Sequence, residues 1–311
     1  MGPGHEPTCP RPSCIQKVAM KLAIVKGVLK AHRISLRKTR GQNFLIDPAV
    51  ASRIVDLLCL TSDDTVLEIG PGLGALTEHL LSRARFVLAV EIEKAFCEEL
   101  DQCFSGTGRW EVLHGDILDM DPCVLFENLR SQVGEKGTVK MISNLPYCVT
   151  TPILTQFLQS KPGFSRMVLT MQREVAERIT AIPPARQGGS LSIFSQYYCR
   201  VKREFKISAG SFYPSPKVES AVVTFVPWEK PPVLLLDEGL FFRVVRASFS
   251  ARRKTLNNSL KRLFTQLGLS QERAQALLLK CDIEGRRRAE TLTLSEFARM
   301  ANLLAQWRAN P

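Results

Sequence analysis

No stretch of this 311-residue sequence approaches the ~20 consecutive apolar residues that a membrane-spanning helix needs, and its most apolar runs are as short as buried strands. A helical membrane protein is thereby excluded. The nine cysteines contain no CxxC pair, and their odd number rules out a fully paired disulfide framework within one chain, so a reducing compartment is expected. Cys9 and Cys14 stand in a Pro-rich tail with no His or Cys following at zinc-site spacing, and no metal is expected. Acidic residues are scarce at both ends. Residues 1–40 hold nine basic and one acidic residue and residues 229–311 hold fifteen and eight, whereas the middle is slightly acidic. That distribution points to a polyanion gripped by flanking segments; the competing account is charge for solubility.

What is present is ordinary for a globular protein, with 45% hydrophobic and 23% charged residues. The length exceeds what one core usually organises, so two domains are expected. Residues 1–20, rich in Pro and without apolar periodicity, read as a disordered extension. Residues 21–228 read as the main domain and 229–311 as a small helical one, the boundary falling at Pro227, Pro231 and Pro232. Asp47 before Pro48 gives an N-cap and first-turn pair for a helix carrying Val50, Ile54, Leu57 and Leu58. Strands are expected at 65–69, 86–90, 111–114 and 139–143, with helices around 76–81, 95–104 and after Pro152. This alternation predicts an α/β fold built on a parallel, doubly wound sheet. Further strands are expected at 167–171 and 220–226, the last as an antiparallel edge. Beyond the prolines, Leu256, Leu260, Leu263 and Phe264 form one apolar helical face, and Thr293 with Glu296 fits a capping box.

The segment EIGPGLG at 68–74 lies between a predicted strand and a helix, where glycines let the backbone approach a ligand closely. Glu91 ends the next strand, 21 residues after Gly70, where a carboxylate can accept both hydroxyls of an adenosine ribose. The GxGxG spacing differs from the GxGxxG that seats a pyrophosphate, which favours a methyltransferase over a dinucleotide enzyme. Asp116 ends the third strand; it either accepts from a cofactor adenine amine or caps a helix. NLPY at 144–147 follows the fourth strand, at the carboxyl edge where such sheets bind ligands. An adenine amine is a poor nucleophile because its lone pair is delocalised, so a catalyst must accept from its hydrogens and fix its direction. The Asn144 side-chain oxygen and the Pro146 carbonyl can do this. Tyr147 offers a face on which a base stacks, worth roughly 1–3 kcal/mol.

GQNFL (41–45), EIGPGLG, HGD (114–116), NLPY, FYPSPKV (212–218) and FSARRKTLNNSL (249–260) occur in the order found in one family. From Arg40 to about Leu304 the chain resembles the small-subunit ribosomal RNA adenine dimethyltransferases, the KsgA family. The resemblance implies a Rossmann-like class I methyltransferase sheet with a small C-terminal all-helical RNA-binding domain. It implies S-adenosyl-L-methionine as cofactor, contacted by Asn43, Leu45, Gly70, Glu91, Asp116 and Asn144. It implies dimethylation of N6 on two adjacent adenosines in the 3′-terminal hairpin loop of 16S rRNA, within a partly assembled 30S particle, and a part in subunit biogenesis. Phe212 either packs against the flipped base or is a plain core residue. Arg37, Lys38, Arg40, Arg252, Arg253 and Lys254 are candidate phosphate contacts, and Arg286, Arg287 and Arg288 form another basic cluster. Cys148 and Val149 stand where the family often has Asn and Ile, which affects pocket detail rather than the amine-binding trio.

Alternatives from the same residues are a large-subunit rRNA methyltransferase of the erythromycin-resistance type, a non-catalytic ribosome assembly factor, and an NAD-dependent oxidoreductase. Each leaves part of NLPY, Glu91 or the FYPSPKV block unexplained. A cytoplasmic protein with no obligate oligomer is expected; an organellar matrix or stroma is the alternative if residues 1–20 are a transit peptide.

Overall fold

The computed structural model describes residues 22–32, 43–144, 149–160, 163–251 and 253–309. In chain order these form α1 (Leu22–Ala31), β1 (Phe44–Leu45), α2 (Pro48–Asp56), β2 (Thr65–Ile69), α3 (Thr77–Leu81), β3 (Phe86–Glu91), α4 (Lys94–Phe104), β4 (Trp110–His114), α5 (Pro122–Ser131), β5 (Val139–Asn144), α6 (Thr150–Gln159), β6 (Arg166–Gln172), α7 (Arg173–Ile179), α8 (Ser190–Tyr198), β7 (Cys199–Ile207), β8 (Phe212–Tyr213), β9 (Ser220–Pro227), α9 (Glu238–Ser248), α10 (Leu256–Ser259), α11 (Lys261–Gln266), α12 (Gln271–Lys280) and α13 (Leu294–Ala309). None of the described helices is long and apolar enough to cross a membrane.

Seven strands form one sheet in the order β4-β3-β2-β5-β6-β9-β7. Strands β2 to β6 pair in parallel, and β9 runs antiparallel to β6. Order reverses between β2 and β5, which is where open α/β sheets leave a crevice beyond their carboxyl ends. Each strand expected from sequence is present to within about a residue. The edge differs: β9 is flanked by β7, which sequence reading did not detect. Its residues CRVKREFKI are buried only at Cys199 and Ile207 and carry five charged side chains between them, so charge breaks up the apolar pattern that identifies the central strands.

The chain divides into two compact units. One holds residues up to Arg173 together with Glu204–Phe225, and the other holds Glu174–Arg203 together with residues from Val226 onward. The first unit's core gathers Ile54, Leu58, Val66, Leu80, Val87, Ile142, Val168 and Val222. Asp47 caps α2 by accepting from the N–H groups of Ala49 (3.0 Å) and Val50 (3.2 Å), with Pro48 in the first turn as its fixed φ favours. Below the sheet, buried Lys140 donates to Asp64 at 2.7 Å and to the Cys59 carbonyl at 2.6 Å.

The second unit takes in α8 because its aromatic side chains have partners there. Phe194 and Tyr197 pack on Phe241 and Phe242 of α9 at centroid separations of 5.1–5.6 Å, each buried ring contributing about 1.5–3 kcal/mol. The hydroxyls of Tyr197 and Tyr198 both reach Glu238. Leu256, Leu260, Leu263 and Phe264 are all buried, but the segment forms two short helices, α10 and α11, with Leu260 at the junction between them, rather than one. The capping box is present: Thr293 N–H donates to Glu296 at 2.7 Å, and Glu296 N–H to the Thr293 hydroxyl at 3.2 Å.

Candidate active site

The carboxyl ends of β2, β3, β4 and β5 bring the sequence motifs to one edge. After β2 the chain turns through Gly70 and Gly72 at φ +64° and +59°, in the left-handed region that glycine enters without cost. A Cβ at Gly72 would lie 3.3 Å from the Phe44 ring, whereas one at Gly70 would meet nothing within 4 Å. Gly70 therefore faces open space where a ligand could lie against backbone.

Glu91 ends β3 almost fully buried. Its carboxylate accepts from Gly72 N–H and from Glu93 N–H, each at 3.0 Å. Burial pushes this carboxyl above its ordinary range, and the backbone donors pull it part of the way back. Gly115 N–H donates to the Glu91 carbonyl at 2.9 Å, which sets Asp116 beside Glu91 on the next strand end. Asp116 caps a single 3-10 turn by accepting from Leu118 N–H at 2.9 Å, so the capping account of this residue is realised and its second oxygen is not needed for the cap.

Glu68, at the end of β2, is fully buried and accepts from the Thr77 hydroxyl at 2.7 Å. Burial pushes its pKa up to about 8, opposed by that hydrogen bond and reinforced by the nearby Glu91 charge. At neutral pH Glu68 is mostly protonated. It was not singled out from sequence, since a carboxyl inside a motif reads like any other acid until its burial is known. Ile92, directly after Glu91, was missed as well; it is a large apolar side chain left 43% exposed at the rim.

Asn144 ends β5 opposite Thr170 and donates from its side-chain nitrogen to the Asn43 carbonyl at 3.4 Å. Two predicted residues 101 positions apart in sequence are thus in contact. Leu45 is buried, and β1 pairs with β8 so that Leu45 faces Phe212 and Phe44 faces Tyr213. Phe212 is 3% exposed inside the first unit's core, the second of its two readings; contact with a base would require that ring to be uncovered. Pro146 and Tyr147 lie outside the described residues, as do Arg37, Lys38, Arg40 and Arg252. Arg253 and Lys254 are exposed and belong to the other unit. There Leu256 N–H donates to the Arg287 carbonyl and Asn257 N–H to the Gly285 carbonyl, at 2.9 and 3.1 Å, joining the two basic loops. Arg286 and Arg288 are exposed, but Arg287 is held by Glu296 at 2.5 and 3.2 Å and by the Thr291 carbonyl at 2.6 Å.

The profile of the ribosomal RNA adenine dimethylase family matches residues 33–306. The chain belongs to that family. Curated members include ribosomal RNA small subunit methyltransferase A of Geobacter metallireducens, 45% identical over 89% of this chain and 98% of its own. The same enzyme of Pelotomaculum thermopropionicum is 42% identical over 90% and 95%. Among solved structures, a dimethyladenosine transferase from Plasmodium falciparum superposes with a TM-score of 0.68 at 25% identity, covering 85% of this chain and 97% of that one. A 23S rRNA methyltransferase superposes at 0.64 with 24% identity over 85% and 100%, a likeness of fold. This family member is an rRNA methyltransferase with a Rossmann-like α/β fold, and the small-subunit dimethylase reading fits it better than the large-subunit, scaffold or oxidoreductase alternatives.

Proposed function

We propose that the chain uses S-adenosyl-L-methionine to dimethylate N6 of two adjacent adenosines in the 3′-terminal hairpin loop of 16S rRNA, within a partly assembled 30S particle in the cytoplasm. The observation that carries this reading is the meeting of Asn144 with the Asn43 carbonyl at the sheet's carboxyl edge, on the same edge as the buried, ribose-ready Glu91.

The residues fit the cofactor. Gly70 leaves the room that a Cβ would fill, Glu91 can exchange a backbone donor for ribose hydroxyls, the second oxygen of Asp116 suits an adenine amine, and exposed Ile92 suits an adenine face. S-adenosyl-L-methionine, when bound, supplies a methyl carbon on a positively charged sulfonium. Asn43 and Leu45 are assigned to the cofactor on sequence grounds; Leu45 itself is buried in the first unit's core.

Asn144 accepts an N6 hydrogen with its side-chain oxygen while its nitrogen stays on the Asn43 carbonyl, which fixes the amide's orientation. The Pro146 carbonyl is assigned the second hydrogen and Tyr147 the stacking face. Holding the amine lone pair towards the methyl carbon supplies orientation, and no dedicated base is required. Loop adenines leave their stack at lower cost than paired ones, consistent with a hairpin-loop target.

The second unit is assigned to RNA binding. Arg253, Lys254, Arg286 and Arg288 are exposed on two joined loops and suit phosphates; Arg37, Lys38, Arg40 and Arg252 are assigned the same role on sequence grounds. Arg287 is set aside as structural because Glu296 already satisfies it.

The test is methyl transfer from labelled S-adenosyl-L-methionine to undermethylated small subunits, followed by nucleoside analysis, with the normal chain and Asn144→Ala in parallel. N6,N6-dimethyladenosine from the normal chain alone is expected. Particle binding without transfer by the normal chain would instead favour an assembly factor.

A further inference from the structure

Helix α1 lies ahead of the family match, which begins at residue 33, yet it packs on the outer wall of the candidate cofactor site. Val25 and Leu29, one turn apart on a single face, are buried against Phe44 and Phe96, with Leu73 of the glycine turn, Ile46 and Tyr213 closing around them. Phe44 meets Phe96 edge to face at 5.6 Å, and its ring lies against Gly72 closely enough that a Cβ there would stand at 3.3 Å. Gly72 N–H in turn holds the Glu91 carboxylate at 3.0 Å. A continuous set of contacts therefore runs from α1 through Phe44 and Gly72 to the ribose-ready carboxyl.

The helix is also fastened at its edges. His32 meets Glu99 of α4 at 2.6 Å, and the Lys26 ammonium sits 5.5 Å over the Tyr213 ring on β8, the strand paired with β1. At ten residues α1 is below the ~12–15 at which isolated helices become even marginally stable in water, so its order depends on this docking.

We propose that α1 is a positioning element for the cofactor site: docking of Val25 and Leu29 holds Phe44 over Gly72, and this sets the affinity for S-adenosyl-L-methionine. The proposal rests on the cofactor reading of the Glu91 site. Leu29 and Phe44 are positioning residues, acting through Gly72 and Glu91.

The experiment is calorimetric titration of the full chain with S-adenosyl-L-methionine and with S-adenosylhomocysteine, for the normal protein, Leu29→Ala, Phe44→Ala and the pair combined. RNA affinity and the far-ultraviolet circular dichroism melt are measured alongside. Each single variant should weaken cofactor binding about tenfold, the energetic scale of a large-to-small change felt through one contact, with RNA affinity within about twofold. The double variant should be no weaker than the worse single one, since both remove the same coupling. Leu29→Met, which keeps the packing, should restore normal affinity. Unchanged cofactor affinity in folded Leu29→Ala, or independent additive losses, would overturn the proposal and leave α1 as packing alone. If Leu29→Ala fails to fold, Leu29→Val with its smaller loss of volume carries the same comparison. Absence of any cofactor binding by the normal chain would overturn the cofactor reading itself, a result distinct from the others.

Discussion

Glu91 Oε2 accepts the backbone N–H of Gly72 at 3.0 Å, so the acid that ends β3 is held by the glycine turn that follows β2. The contact keeps one oxygen of a buried carboxylate satisfied, and Glu93 N–H holds the other at 3.0 Å.

Replacing Glu91 by Ala should weaken S-adenosyl-L-methionine binding about 10- to 100-fold, the range for losing hydrogen bonds to a charged acceptor. RNA affinity should be little changed. Calorimetry with the isolated cofactor checks this; equal loss for both ligands would mean that the substitution disturbs the fold.

Asn144→Ala should lower kcat by about 10²–10³, the usual effect of removing one preorganised polar contact in a reaction centre. Single-turnover methyl transfer at saturating cofactor is the appropriate measurement. A variant that loses cofactor affinity but keeps its single-turnover rate would show that Asn144 serves the cofactor and not the amine.

Glu68 titrates at about 8 in the folded chain against an ordinary value of 4.5. Because the folded value is raised, stability is greatest below about pH 4.5 as far as this group is concerned, and declines as pH rises towards 8. Glu68→Gln, which keeps an uncharged polar group beside Thr77, should flatten that decline. Denaturant midpoints measured across this pH range check it; an identical slope in the variant would show that Glu68 is ionised in the folded state.

Lys140 and Asp64 form a buried ion pair beneath the sheet. Burial raises the Asp64 pKa, but hydrogen bonds from Lys140, Thr61 and Thr138 outweigh it, and the net direction is below 3.8. This contribution is therefore complete above the ordinary value and fades as pH falls through the lower folded one. Lys140→Met should cost about 3–5 kcal/mol at neutral pH by leaving Asp64 unpaired, and Lys140→Met with Asp64→Asn should recover part of it. Urea melts of the three proteins measure both.

Arg286 and Arg288 should behave differently from Arg287. Substituting the outer two by Ala should weaken RNA binding and reduce its salt dependence, each lost phosphate contact lowering the logarithmic salt slope by about 0.7–0.9. Arg287→Ala should instead destabilise the second unit, because Glu296, held below its ordinary pKa despite burial by Arg287 and Thr293, loses its cation. Filter binding against salt and thermal melts separate the two.

The sequence by itself determined the parallel sheet, four of its strand ends and the motif residues placed on them. Those features rest on local rules: short, largely apolar runs such as 65–69 and 139–143, bounded by turn residues, fit buried strands, and Asp47 before Pro48 caps the helix that follows. Tertiary structure decided what local rules cannot reach. Edge strand β7 is charged on its open face, so its apolar half is visible only once β9 lies beside it. Glu68 and Glu91 have the same side chain and similar positions, and burial made one a neutral group despite the Thr77 hydroxyl that it accepts, while two backbone donors oriented the other. The three arginines at 286–288 look alike in sequence, and the fold spent the middle one on Glu296. The contact of Asn144 with Asn43, 101 residues apart, joins the end of β5 to the segment just before β1, a strand that pairs with β8 outside the seven-stranded sheet, so it is a property of the assembled unit rather than of either segment.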